Sequence, residues 1–258
     1  MNYYIMTKGR VNKQITLDHL PDKIKENTFL ICDKTEALKH EHQTIHAPSS
    51  VIDYSTKMQW IIDMIRERDN GIGVIMDDDL WFDIRIQDKE KLRKPKNKDE
   101  LLPLFEQLEQ LLITTPLVGV HPRQFGHAKP LPYVSNGKIV CLQAINTNLF
   151  PSNFPAVDEF PILSDVRLNC GLLSRGYENK LITNFVVDWA PCMAEGGCSS
   201  YRDYEMQKKG CEMLGNMFEP FLKVVKKKSK NDGFNGERYD FNVQWKRMYA
   251  EGLSKRSI

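Results

Sequence analysis

The segment Gly71-Ile-Gly-Val-Ile-Met76 is apolar throughout and runs straight into Asp77-Asp78-Asp79. A short apolar run bounded by polar residues reads as a buried strand. Adjacent carboxylates repel one another and are costly to bury unless a divalent cation or solvent neutralises them, and hard oxygen donors suit Mg²⁺ or Mn²⁺. Ligands of open α/β sheets collect beyond the carboxyl ends of strands, so a metal-bound diphosphate would sit at this junction. A solvated acidic loop is the competing reading of the triplet, and the rest of the chain has to decide.

Strand and helix signals alternate around it. Tyr3–Met6, Thr28–Cys32 and the run to Met76 read as strands, with helical patterns at 17–24, 34–39 and from a Ser55 cap to Asp69. Sequential βαβ units give a parallel sheet with right-handed crossovers. Further on, 80–86, 116–120, 138–145 and 181–187 read as strands and 99–113 as a helix. Ser164 is placed to cap a helix at 165–174, and 206–228 reads as the longest helix. The expected class is α/β, with a Rossmann-type, mixed and mainly parallel sheet flanked by helices. One domain of 258 residues is expected, in segments of about 1–85 and about 86–205 with a C-terminal helical extension at 206–258.

Composition excludes several classes. No stretch approaches the roughly 20 apolar residues of a membrane span, and the N-terminus lacks a signal-peptide pattern, so a cytoplasmic protein without membrane partners is expected. The six cysteines contain no CxxC pair, which argues against a zinc ribbon or disulfide framework; Cys192 and Cys198 share a Gly-rich loop without a second ligand pair. His40, His42 and His46 are spaced as a metal cluster would be, with an exposed loop as the expected reading. The net charge of +2 announces no nucleic-acid binder, but Lys223, Lys226-Lys227-Lys228 and Lys230 form one basic run, and Lys89 to Lys98 another, diluted by acids. Such runs are solvated surface or a phosphate-binding face.

Several short motifs fall in a fixed order: Thr7-Lys8-Gly9-Arg10, Thr16-Leu17 with Leu20-Pro21, Tyr54-Ser55-Thr56-Lys57-Met58-Gln59-Trp60-Ile61, Ile75-Met76-Asp77-Asp78-Asp79, Ser164-Asp165-Val166 and Gly196-Gly197-Cys198-Ser199-Ser200-Tyr201-Arg202. The order resembles the TET-associated glycosyltransferases, GT-A-fold enzymes of phage and kinetoplastid type that attach sugars to hydroxymethylated pyrimidines in DNA. The resemblance spans most of residues 3–205.

What it implies is specific. Asp77 and Asp79 occupy the outer positions of a DxD motif that holds the Mn²⁺ or Mg²⁺ bridging the phosphates of a nucleotide sugar, a Lewis-acid role. Asp78 would touch ribose or sugar, and Arg10 and Lys57 stand where the family keeps basic residues near the nucleotide; forked guanidinium donors suit a diphosphate. Asp165, at a helix start in the acceptor half, would be the general base, although the family's usual pair of acids is here Ser164-Asp165. Asp158 and Glu159 are rival bases, and a simple helix-capping pair is the alternative for Ser164-Asp165. With no His after His127, the metal would be held by Asp77, Asp79, phosphate oxygens and water. Arg123, His127 and Arg202 are candidates for the acceptor side, Gly196-Gly197 for a phosphate nest, and Trp189, Tyr201 and Trp245 for stacking surfaces.

The expected function is therefore metal-dependent transfer of a sugar from a nucleotide sugar, most simply a UDP-sugar, to a hydroxymethylated pyrimidine in double-stranded DNA, in the host cytoplasm if phage-encoded. A protein, glycan or small-molecule acceptor is the alternative within the class. A metal-dependent nucleotidyltransferase or nuclease, or a non-catalytic DNA-binding module, is the alternative outside it.

Overall fold

The computed structural model of the protein describes residues 1–86, 91–125, 132–152, 154, 156–158, 162–190, 196–228 and 236–256. Ten strands form one sheet: β1 (Asn2–Met6), β2 (Thr28–Cys32), β3 (Thr44–His46), β4 (Ile72–Asp77), β5 (Leu80–Arg85), β6 (Leu92–Arg93), β7 (Leu117–Pro122), β8 (Tyr133–Ser135), β9 (Leu142–Asn146) and β10 (Asn179–Trp189). The order is β3-β2-β1-β4-β9-β7-β10-β5-β6, with β8 beside the first part of β10. Strands β1 to β4 pair in parallel; β9 runs antiparallel to both β4 and β7, and β5 antiparallel to β10. The sheet is mixed and GT-A-like, as expected, and the carboxyl ends of β1, β2, β3, β4, β7 and β10 share one edge.

The helices are α1 (Ile15–His19), α2 (Asp22–Lys25), α3 (Lys34–Ala37), α4 (Tyr54–Arg68), α5 (Leu102–Leu112), α6 (Ser164–Leu173), α7 (Tyr204–Met217) and α8 (Trp245–Arg256). Helix α5 lays Leu104, Phe105, Leu108 and Leu112 on one sheet face; α4 lays Met58, Ile61 and Ile65 on the other, where Leu168 and Leu172 of α6 join them. A sheet covered on both faces explains why β4 is apolar along its length rather than alternating. Beyond α6 lies a third core of Val166, Cys170 and Leu173 against α7, α8 and a hairpin of β11 (Leu222–Lys228) and β12 (Glu237–Val243). Gly252 lets α8 reach α6, since a Cβ there would stand 2.5 Å from the Leu173 carbonyl.

The structure corrects four local expectations. The helix foreseen over 206–228 ends at Met217, and Leu222–Lys228 is strand; Pro220 cannot continue a helix, and Val224-Val225 prefer a pleated surface. The segment read as helical over 17–24 divides at Leu20-Pro21 into α1 and α2 for the same reason. The cap of α4 is Asp53, in a capping box with Thr56, rather than Ser55, which is buried. Ser164 is the first helical residue of α6, not its cap; Leu163 precedes it in the left-handed region at φ 66°.

Candidate active site

Apolar β4 delivers Asp77 to the carboxyl edge, and the two residues that follow turn into β5. Thr16 of α1 secures the turn: its hydroxyl donates to the Asp77 carbonyl (2.6 Å) and accepts from the Leu80 amide (2.8 Å), while its own amide donates to the Asp78 carbonyl (3.1 Å). Cys141 holds the other side. Its carbonyl accepts from the Asp77 amide (2.8 Å), its thiol faces the Asp77 carboxylate, and its backbone sits at φ 63°, a region disfavoured for a side-chain-bearing residue.

Arg10 reaches into the triplet from the loop after β1. One Nη donates to Asp78 (2.5 Å) and to Asp79 (3.0 Å). Burial works against this guanidinium, but the two carboxylates outweigh it and hold Arg10 charged. The loop itself is fixed by Glu36, which accepts from the Gly9 and Arg10 amides (3.1 and 3.4 Å). Gly196 covers Arg10 so closely that a Cβ would meet its Cγ and Nε at 2.7 Å, and the Gly197 amide donates to the Lys8 carbonyl (2.9 Å). The paired glycines therefore pack on the arginine that neutralises the acids.

Asp77 has no such cation among the described residues. Burial raises its pKa well above the usual carboxylate range, and repulsion from Asp79 raises it further, as do Asp78 and Asp165. Asp78 and Asp79 are also raised, by burial in each case, with Arg10 opposing. Two carboxylates crowded with hard oxygen donors, one of them unneutralised, fit a divalent cation. No group of three or more His, Cys, Asp or Glu side chains converges among the described residues, so such an ion would take the rest of its shell from elsewhere.

Asp165 arrives in the first turn of α6, close enough to raise the pKa of Asp77. Its own pKa is raised by burial, opposed by Lys138, by the helix-terminal amide of Val166 and by Arg202. A second buried polar residue sets the position of α6: Asn169 Nδ2 donates to the Asp165 carbonyl (2.7 Å) and the Ile139 carbonyl (2.8 Å). Tyr54 stands between the two halves; burial pushes its hydroxyl up, followed by the charges of Asp77 and Asp165.

Beside the acids opens a cleft of about 580 Å³ at the ends of β1, β2 and β3. Its walls are largely apolar, with Met6, Ala47, Val51 and Tyr54 on them and Asp33 and Lys34 among its polar groups. Asp77–Asp79 do not line it; they stand next to it, across Thr7 and Tyr54, which do. Lys57 lines the cleft, but its ammonium is turned onto the carbonyls of Thr7 (2.9 Å) and Ile31 (3.4 Å), and burial lowers its pKa.

The other sequence candidates separate. Arg202 lies near Asp165, whereas Arg123, at the end of β7, is tied to Asp83 (3.0 Å) and Asp188 (3.2 Å). His127 and Glu159 lie outside the described residues, as do Cys192, Lys89 and Lys230; Asp158 is exposed. Trp189 packs against the first core and Trp245 against the third, while Tyr201 lines the cleft, its hydroxyl accepting from the Tyr54 amide (2.8 Å). The three histidines diverge: His40 faces Glu36, His42 bonds the Thr28 carbonyl and His46 lines the cleft. Residues that sequence reasoning left without a role are Glu36 and Cys141, long-range partners of Arg10 and Asp77, and Asn169, which ties the carbonyl of Asp165, one turn earlier in α6, to Ile139. Thr16 stood in a quoted motif, but only its contacts across to Asp77–Leu80 show what it does.

No helix among the described residues is long and apolar enough to cross a membrane. No curated protein matches the sequence. The model of the TET-associated glycosyltransferase family matches residues 1–144, which carry Arg10, Lys57 and the acid triplet and stop short of Asp165. With more than half of its length so matched, on a GT-A-like sheet, this chain belongs to the TET-associated glycosyltransferase family and is a glycosyltransferase.

Proposed function

We propose that the enzyme moves a sugar from a UDP-sugar to the hydroxymethyl group of a modified pyrimidine in double-stranded DNA, a phage-type DNA modification. The observation that carries this reading is the meeting of Asp165, from the second half of the chain, with Asp77 at the edge of a mainly apolar cleft. The cleft suits a nucleoside, a flat base with a polar ribose edge, and a diphosphate attached to it would extend toward the neighbouring triplet. Arg10 neutralises part of the acid cluster, and Lys8 lines the cleft beside it.

Asp77 and Asp79 would hold Mn²⁺ or Mg²⁺, which supplies Lewis-acid stabilisation of the departing diphosphate. Asp165 takes the proton of the acceptor hydroxyl as its oxygen bonds to the anomeric carbon; the bond from that carbon to the diphosphate oxygen breaks, and the electron pair leaves with UDP. A carboxylate whose pKa is raised by burial is a stronger proton acceptor than an exposed one, and Lys138 and Arg202 oppose that rise.

The hairpin supports a nucleic-acid acceptor. It exposes Lys226, Lys227 and Lys228, with Lys227 opposite Arg238 and ion-paired to Asp240 (2.9 Å), on a strand pair packed against α7. The test is a thermal-shift screen of UDP-sugars with Mn²⁺ or Mg²⁺, followed by mass analysis of nucleosides from DNA containing hydroxymethylcytosine or hydroxymethyluracil. A hexose or pentose mass added to the modified base supports the proposal; donor binding with transfer only to protein, glycan or small-molecule acceptors overturns the DNA assignment. Metal-dependent cleavage of the DNA itself would sink the transferase chemistry.

A further inference from the structure

We propose that Lys8 is a further donor-binding residue, whose ammonium the ring of Tyr201 holds at the acid end of the cleft to receive the diphosphate; the inference rests on the UDP-sugar reading above. Lys8 and Tyr201 both line the cleft, and the Lys8 ammonium stands 5.1 Å from the centre of the Tyr201 ring. The two residues come from opposite halves of the chain and are joined a second time through the backbone, where the Gly197 amide donates to the Lys8 carbonyl (2.9 Å). Tyr201 is itself fixed, its hydroxyl accepting from the Tyr54 amide (2.8 Å) and donating to the Cys198 sulfur (3.2 Å).

The neighbouring cations are committed elsewhere. An Arg10 Nη binds Asp78 and Asp79, and the Lys57 ammonium binds the carbonyls of Thr7 and Ile31. Lys8 is exposed, and its ammonium forms no ion pair or hydrogen bond among the described residues. A ring face attracts an ammonium through its quadrupole but carries no net charge, so Tyr201 orients the side chain and leaves its charge to act on a ligand. Lys34 also lines the cleft, but strand order sets it farther from the acids. Met6, two residues before Lys8, pairs with Asp77, whereas Lys34 follows β2, on the side of β1 away from β4. A diphosphate extending toward the triplet therefore meets Lys8.

The experiment measures the affinity of the intact chain for UDP and for uridine in the presence of Mg²⁺, comparing the wild type with Lys8→Met, Lys8→Arg, Tyr201→Phe and Tyr201→Leu. Lys8→Met should weaken UDP binding about tenfold and leave uridine binding unchanged, since only UDP carries the charge that Lys8 meets. Lys8→Arg should recover most of the loss. Tyr201→Phe keeps the ring and should keep the preference for UDP over uridine, whereas Tyr201→Leu should cut that preference about threefold; equal effects of the two overturn the part assigned to the ring. UDP affinity of Lys8→Met within about twofold of the wild type overturns the inference. So does an equal loss of both ligands, the mark of a structural role. A wild type that binds UDP no more tightly than uridine refutes the UDP-sugar reading itself, whereas a strong wild-type preference that Lys8→Met retains refutes only the role of Lys8.

Discussion

Asn169 is where stability and chemistry meet most directly. It is fully buried; Oδ1 accepts from the Ile139 amide (3.2 Å) and from Asn179 Nδ2 (2.7 Å), and Nδ2 donates to the carbonyls of Ile139 (2.8 Å) and Asp165 (2.7 Å). Asn169→Leu keeps the volume and removes all four bonds. The Asn179 amide retains the Gly137 carbonyl (2.9 Å), but the amide and carbonyl of Ile139, itself buried, lose this partner. At about 1–3 kcal/mol for each orphaned group, less about 1–2 kcal/mol regained by burying leucine, the net cost is about 2–4 kcal/mol, a large share of the stability of an ordinary domain. With a urea dependence near 3 kcal/mol per molar for a chain of this size, the unfolding midpoint should fall by about 1 M, and Tm by about 5–15 °C. Because Asn169 also bonds the carbonyl of Asp165, the start of α6 should shift, and a displacement near 1 Å at a reacting group costs about a hundredfold in rate. Urea unfolding followed by circular dichroism, with kcat measured in the absence of urea, checks both. A midpoint lowered by less than about 0.3 M together with unchanged turnover would refute the reasoning.

Asp77→Asn and Asp79→Asn should each abolish transfer while leaving the circular dichroism spectrum native; activity retained in both variants rules out the DxD assignment. Asp165→Asn should bind donor normally and lose transfer by about two to four orders of magnitude, with donor hydrolysis less affected, since water can release its proton to bulk solvent; normal turnover in this variant with an inactive Asp158→Asn or Glu159→Gln would move the base elsewhere. Asp77, Asp78, Asp79 and Asp165 all have folded pKa values raised by burial, so the native state binds more protons than the unfolded chain, and this contribution to stability is present below about pH 4 and lost as pH rises through the raised values. In metal-free protein, Asp77→Asn should therefore gain Tm relative to the wild type as pH increases from about 4.5 to 7; a Tm difference independent of pH contradicts the burial of an ionisable Asp77. Replacing Lys226, Lys227 and Lys228 by glutamine should weaken binding to modified duplex and flatten its salt dependence without changing donor affinity; turnover on DNA that ignores salt in the wild type counts against a hairpin contact.

The part of this protein legible in its sequence is the part encoded locally. The run Gly71–Met76 reads as a strand because its apolar residues leave no solvent face, and it ends where three acids and a turn must begin; β4 and the triplet lie there. The β1 to β4 half follows from the same local alternation, and its motifs carry the family match. What only the tertiary structure decided is which groups meet. Thr16 and Cys141 flank Asp77, Glu36 fixes the loop of Arg10, and Asn169 orients α6, each through bonds to residues at least 26 positions away in the chain. No periodicity records such contacts, because they depend on strand order: β9 inserts antiparallel between β4 and β7, bringing residues 138–141 against the acids. The C-terminal region shows the same limit from the other side. Lys223 to Lys228 continue a plausible helical surface, yet the hairpin wins because Phe241 and Val224 can then cover α6 and α7, a burial that no single segment can offer by itself.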